Sequence, residues 1–383
     1  MRVLEDAWLV ATDGLIAEVG TGRPPPADVR EDGGGRIALP GFVDSHTHVL
    51  FGRSRADEFE RRLAGESYAE IAASGGGIRA SVADLRARGE DELVTLASGR
   101  LRAMLASGTT TAEVKSGYGL STSAELSSLR AVRRLRERTP VDVVPTFLGA
   151  HAIPPEFDGD RGGYVRSIVQ ETLPAVASEG LAEFCDAFCD VGAFSLEETR
   201  EVLVAGSAAG LGLKVHAEEF ERTGAAEMAA GLGAVSADHL LRIDDAGVAA
   251  LAASGTVATL LPATAFFLRL PFAPARRLLD AGATLALATD YNPGSSPCAS
   301  MALVWSLACC GMGLSVDEAL RALTLGGARA LGRGAELGTL LPGFRADVSL
   351  FDVDHYREVP YFFGENRCAA VLRGGRTVWR AAG

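Results

Sequence analysis

The chain has 383 residues, 48% of them hydrophobic and 22% charged. That is enough to bury a sizeable core, and it excludes wholesale disorder. With 49 acidic and 37 basic residues the net charge is −12, the wrong sign for a protein that binds nucleic acid by displacing phosphate counterions.

In chain order, residues 1–40 carry the short alternating runs Ala7–Ala11 and Leu15–Val19 among glycine- and proline-rich turns, and read as one part of a small β domain. The opening MRVLEDAW has acids where a signal peptide would carry bases and an apolar run. From 41 to 334 an apolar or β-branched run, a polar loop and an amphipathic helix recur. The strand candidates are Ala38–Val49, Thr109–Ser116, Val141–Ala150, Ala182–Asp190, Gly212–Ala217, Ala234–Leu240, Thr256–Ala265 and Thr284–Asp290. Capping boxes at Thr122/Glu125, Ser195/Glu198 and Ser315/Glu318 mark helix starts. Leu126, Leu129, Val132 and Leu135 then give one apolar helix face.

The charge-free stretch Ala246–Leu268 is long enough to span a bilayer. Ser254, Gly255, Thr256 and Pro262 divide it into a short helix, a turn and an apolar strand, so no membrane contact is expected. Residues 335–383, with Ala346–Phe351, Ala369–Leu372 and Thr377–Arg380, read as the other part of the β domain. The expected fold is therefore α/β: a (β/α)₈ TIM-like barrel over 41–334 with a small composite β-sandwich domain formed from both termini, 1–40 and 335–383. No GxGxxG follows the first barrel strand to favour an open doubly wound sheet. The six cysteines form no CxxC pair and read as buried small hydrophobes of a reduced, cytoplasmic protein.

Five of the six histidines fall at or just beyond the C-terminal end of a strand candidate: His46, His48, His151, His216 and His239. Asp290 closes the eighth. In a β/α barrel those ends form the mouth where active sites are built. Side chains at i and i+2 of a strand share a face, so His46 and His48 can clip one metal ion. A third imidazole, His216, and the Asp290 carboxylate would complete a first shell with room for a water. A metal so held lowers the pKa of its water towards neutrality. Taken singly, a strand histidine is more often a hydrogen-bonded core residue; the joint placement at one mouth favours metal.

Pro40-Gly41-Phe42-Val43-Asp44-Ser45-His46-Thr47-His48 resembles the opening motif of the amidohydrolase superfamily. Within it the chain is most similar to the imidazolonepropionase family, from Leu39 onward. Glu113-Val114-Lys115-Ser116-Gly117-Tyr118-Gly119-Leu120, Phe147–Pro155, Lys214–Phe220, Ser236–Leu240 and Asp290–Pro297 carry that likeness. The resemblance implies one Zn²⁺ or Fe³⁺ per chain on His46, His48, His216 and Asp290. It implies hydrolysis of the cyclic amide of 4-imidazolone-5-propanoate to N-formimino-L-glutamate, in histidine degradation, by a cytoplasmic homodimer.

It further implies substrate contacts from Arg55, Tyr118, His151, Glu219, Asn292, Gly294 and Ser295, with Tyr68 also facing the substrate. Glu219, His239 and Asp290 would be the catalytic groups. Chemically, Arg55 offers a fork for the propionate, Glu219 could move a proton from water to the leaving nitrogen, and His239 could stabilise the carbonyl oxygen. Their division of proton transfer stays open. Ser295 stands where the family has threonine, and the family has a further N-terminal stretch that would supply an extra strand. Lys115 ends the second barrel strand, whereas the bridging lysine of binuclear amidohydrolases comes from a later one, so an ion pair with Glu113 or a neighbouring acid is expected. The alternatives are a hydrolase or deaminase acting on another small heterocycle, and an inactive ligand-binding relative, which would normally have lost a metal ligand.

Overall fold

The computed structural model describes residues 3–66, 70–71 and 74–382. The chain opens with a hairpin, β1 (Ala7–Thr12) and β2 (Leu15–Thr21), followed by β3 (Ile37–Pro40). Asp13 and Gly14 both take positive φ, 53° and 84°, the backbone of the tight turn that Asp-Gly favours between antiparallel strands. Eight parallel strands follow in sequence order: β4 (Phe42–Asp44), β5 (Thr109–Lys115), β6 (Asp142–Ala150), β7 (Phe184–Cys189), β8 (Gly212–Ala217), β9 (Ser236–His239), β10 (Val257–Leu260) and β11 (Leu285–Leu287). Helices lie between successive strands, as a right-handed β/α barrel requires.

The ladder runs from β4 to β11, and the ring closes just beyond those two strands. The Asp290 N–H donates to His46 O at 3.0 Å and the His48 N–H to Tyr291 O at 2.9 Å. One turn deeper, Asp44 accepts from the Thr289 backbone N–H and hydroxyl at 3.1 and 2.6 Å.

The chain then forms β12 (Val348–Phe351), β13 (Cys368–Arg373) and β14 (Arg376–Arg380), which pair in the order β14-β13-β12-β3. Both ends of the chain thus share one antiparallel sheet, and the β1–β2 hairpin leans on it through Leu15 and Arg345. Phe42 ties this sheet to the barrel: its ring lies 5.5 Å from Phe351 and 6.3 Å from the buried Trp305.

Three expectations need correction. The run Ala38–Val49 is two strands in two sheets, because the chain turns at Gly41 from β3 into β4. The run Thr256–Ala265 is a strand only to Leu260; Pro262, favoured at a first helical position, begins the helix Pro262–Leu268. The N-cap of helix Thr122–Arg138 is Ser121, not Thr122. Glu125 turns away from the cap and accepts from the N–H groups of Gly117, Gly119 and Leu120. The capping boxes at Ser195 and Ser315 are present as expected. On helix Thr122–Arg138, Leu129, Val132 and Leu135 are buried and Leu126 half-buried.

Candidate metal centre and active site

The strand ends deliver five histidines to one place. His46, His48, His151, His216 and His239 are all buried, while His355 lies elsewhere against Tyr356. His46 Nε2 is 3.2 Å from His48 Nε2, which is 3.3 Å from His216 Nε2. Asp290 Oδ1 lies 3.6 Å from His46 Nε2 and 3.4 Å from His48 Nε2. Four donors at about 2.0–2.2 Å from one centre, arranged tetrahedrally, stand about 3.3–3.6 Å apart.

The ring orientations point the same way. His46 Nδ1 lies 2.6 Å from Asp238 Oδ2, and His216 Nδ1 3.0 Å from Asp186 Oδ2. With Nδ1 of each ring turned to a carboxylate oxygen, Nε2 is the nitrogen that each presents to the centre. Burial holds His46 and His48 well below the ordinary imidazole range, with Lys115 adding for the first and His151 for the second. Three imidazole nitrogens converging at 3.2–3.3 Å leave a position between them that a cation fills. The donor set, three imidazoles and one carboxylate, fits a metal ion.

The backbone bends sharply here. Glu218, His239 and Asp290 all take left-handed φ, 57°, 79° and 52°, a strained state for such residues that is held where function needs it. The bend after His216 turns Glu219 back towards the centre. Glu219 is buried, and its Oε2 lies 3.7 Å from His239 Nε2. Burial, with Asp290 and Asp190 adding, holds its carboxyl well above the ordinary range, the kind of perturbation that clusters at catalytic sites. Asp290 is pushed up to about 6 by burial, against a hydrogen bond from Thr264. That bond, Thr264 Oγ1–H to Asp290 Oδ2 at 2.6 Å, takes the carboxylate oxygen opposite the histidines.

Of the remaining residues singled out from the sequence, His151 and Tyr118 stand against the clustered histidines. The His151 ring stacks on His48 at 5.2 Å, and Tyr118 lies 5.3 Å from His151 and 6.1 Å from His48. His151 Nδ1 contacts Gly117 O at 2.9 Å, and burial lowers its pKa to about 3, with His216 and Arg55 among the charges that add to it. Gly117 has φ 103°, and a Cβ there would come within 3.0 Å of His151 Nδ1.

Arg55 has a nearly buried side chain, 8% exposed, and its Nε and Nη1 are buried with no hydrogen-bond partner among the described residues. Its nearest carboxylate, Glu58, is 3.7 Å away. The guanidinium passes over Gly294, where a Cβ would sit 1.3 Å from Nη2. Asn292 is fully engaged: Oδ1 accepts from the Gly294 and Ser295 N–H groups at 2.8 Å, and Nδ2 donates to Asp290 O at 2.7 Å and to Ser295 Oγ at 2.8 Å. It shapes the loop that carries Gly294 and Ser295. Tyr68 lies outside the described residues.

A family model described as "Amidohydrolase family" matches residues 37–378. The chain belongs to the amidohydrolase family. An imidazolonepropionase from Porphyromonas gingivalis (strain W83) is 46% identical over 378 residues, covering 97% of this chain and 89% of that one. Another, from Geobacillus thermodenitrificans, is 47% identical over 387 residues, covering 99% and 91%. The amidohydrolase fold extends to distant relatives of known structure. A zinc-bound adenosine deaminase from Xanthomonas campestris has a TM-score of 0.73 at 19% identity, covering 98% of this chain and 89% of that one. A 5-methylcytosine deaminase from Klebsiella pneumoniae has 0.76 at 16%, covering 98% and 94%.

Sequence reasoning on this amidohydrolase missed the partners behind the ligands. Asp186 and Asp238 each contact one of the clustered imidazoles, and Thr264 holds Asp290. Lys115 does pair with Glu113, at 2.9 Å, but also with Asp186 at 2.6 Å. No spacing rule joins residues contributed singly by different strands. A buried position on β7 or β9 with an acid in it was the one available signal.

Proposed function

We propose that this chain catalyses the imidazolonepropionase reaction: hydrolysis of the cyclic amide C–N bond of 4-imidazolone-5-propanoate to N-formimino-L-glutamate, with one zinc or iron ion per chain. The observation that carries the reading is Arg55. Its Nε and Nη1 are buried without a hydrogen-bond partner among the described residues, with only Glu58 at 3.7 Å for an ion pair; such groups favour an anionic group on the substrate, and the propionate supplies one. Near-full-length identity to imidazolonepropionases supports the choice of ring.

His46, His48, His216 and Asp290 would hold the ion, which when bound polarises the ring carbonyl and acidifies the attacking water. Glu219 takes a proton from that water as its oxygen joins the carbonyl carbon. It passes the proton to the ring nitrogen as the C–N bond breaks, and the carbonyl carbon becomes the new carboxylate. His239 donates to the carbonyl oxygen as charge builds there. Asp290 would give Oδ1 to the ion and Oδ2 to the Thr264 hydroxyl, which favours Glu219 as the proton carrier. Arg55 grips the propionate, Tyr118 and Ser295 add hydroxyls, and His151, whose Nδ1–H is spent on Gly117, keeps Nε2 as an acceptor for a ring N–H.

All six cysteines are unpaired, and no described helix is long and apolar enough to cross a membrane. Both support placing the enzyme in the cytoplasm. A homodimer is proposed on the family resemblance and is checked by sedimentation. The deciding experiment follows ultraviolet absorbance of enzymatically generated imidazolone propionate mixed with purified protein. Loss of absorbance with formation of formiminoglutamate supports the reading; no loss, or release of ammonia, removes it.

A further inference from the structure

The chain has only two lysines, Lys115 and Lys214, and both are fully buried inside the barrel. They meet at one carboxylate oxygen: Glu113 Oε2 lies 2.9 Å from Lys115 Nζ and 3.3 Å from Lys214 Nζ, while Glu113 Oε1 accepts from the Thr146 hydroxyl at 2.5 Å. Beyond that shared contact they diverge. Lys214 donates to backbone, Ser45 O at 2.9 Å and Ala330 O at 3.3 Å. Lys115 faces the two carboxylates that hold the ligand imidazoles: Asp186 Oδ2 at 2.6 Å and Asp238 Oδ2 at 3.9 Å. The same Asp186 oxygen is 3.0 Å from His216 Nδ1, and the same Asp238 oxygen is 2.6 Å from His46 Nδ1.

His46, Glu113 and Asp238 form the second cluster with metal-ligand spacing among the described residues, and the Lys115 ammonium stands against both of its acids. We infer that Lys115 is a positioning residue for the metal centre, a built-in cation that fixes Asp186 and Asp238 so that they aim the Nε2 atoms of His216 and His46 at a single ion. Two like-charged carboxylates in a low-dielectric interior repel and swing apart without a cation between them. An imidazole whose carboxylate has moved loses its fixed ring orientation, and loss of such a partner typically weakens metal binding about 10–100-fold. Lys214, with one carboxylate and two carbonyls, braces the barrel floor; it pairs directly with neither aspartate, although its charge still reaches Asp238.

This inference rests on the reading of the three-histidine site as a metal centre, and the test separates the two. Zinc affinity of the metal-free protein is measured by competition with a chromophoric chelator for the parent, Lys115→Met and Lys214→Met, with circular dichroism to confirm folding. A parent that binds no zinc removes the metal reading itself. With a zinc-binding parent, the expected result is a Kd raised at least about tenfold by Lys115→Met and by a smaller factor for Lys214→Met, which lacks the direct contact with Asp186.

The parent gives a second readout, because ¹⁵Nζ-lysine labelling produces two signals only. Zinc addition should shift the Lys115 signal and narrow it as its proton exchange slows, and leave the Lys214 signal nearly in place. Lys214→Arg assigns the pair. A Lys115→Met Kd equal to the parent's overturns the inference. So does a Lys115 signal indifferent to zinc, which decides the matter if Lys115→Met does not fold.

Discussion

The backbone N–H of Asp290 donates to the carbonyl of His46 at 3.0 Å, and the side chains of the same two residues bring Oδ1 to 3.6 Å from Nε2. The seam that closes the barrel and the proposed metal centre are therefore one structure. Asp290 is held in left-handed φ by that bond on its backbone and by Thr264 on its side chain. Asp290→Asn keeps the shape and removes the charge. It should lower kcat at least about a hundredfold and weaken zinc binding by a similar factor, read by steady-state assay and metal analysis. Substantial residual turnover would take Asp290 out of the mechanism.

Chelation probes the same seam without mutation. A strong chelator should abolish activity, and one equivalent of zinc or iron per chain should restore it. The reloaded protein should also unfold at higher temperature, since a ligand that binds only the folded state stabilises it by mass action. Two equivalents needed for full activity would contradict a site built for one ion beside an engaged Lys115.

Arg55 is tested by separating binding from metal content. A charge-assisted hydrogen bond contributes about 1.5–3 kcal/mol, so Arg55→Ala should raise KM for the propionate substrate about 10–150-fold while zinc per chain stays at the parent level. An unchanged KM would sink the carboxylate role.

Gly294 gives an independent check on the same group. A methyl there would sit 1.3 Å from Arg55 Nη2, so Gly294→Ala must push the guanidinium off its seat. The expected result is a KM rise approaching that of Arg55→Ala, with little further loss when the two changes are combined. Full additivity would mean that Gly294 acts by some other route.

Much of this was legible from residue order because the chemistry lies at strand ends. His46 and His48 share a strand face, and His216 and Asp290 each close an apolar run, so their convergence follows from topology alone. What was hidden lies across strands. Asp186 is one of 49 acids, and nothing in its neighbours announces that β7 lays it beside His216. Thr264 was hidden by a false strand: from Thr256 to Ala265 the residues are all uncharged and mostly apolar, so no periodicity separates strand from helix, and only Pro262 marks the change. Glu125 fitted a capping pattern at the right spacing, yet three backbone N–H groups of the Tyr118 loop claim it. Local pattern and tertiary demand competed there, and burial of the loop won.

Thr264 offers a test between two ways of moving the proton. If Asp290 carried it, Oδ2 would be the acceptor, since Oδ1 faces the histidines. Thr264 Oγ1 already donates to Oδ2 at 2.6 Å, and Glu219 is a second buried acid, 3.7 Å from His239. Thr264→Val removes the donor and frees Oδ2. If Glu219 does the proton work, this variant loses only the fixed aim of Asp290, and kcat should fall about tenfold. Glu219→Gln should then cost about 10²–10⁴ in kcat, the range for a lost general base, with zinc content unchanged because Glu219 holds no ion. A Glu219→Gln enzyme keeping more than half of its kcat, alongside a Thr264→Val enzyme faster than the parent, would move the proton to Asp290.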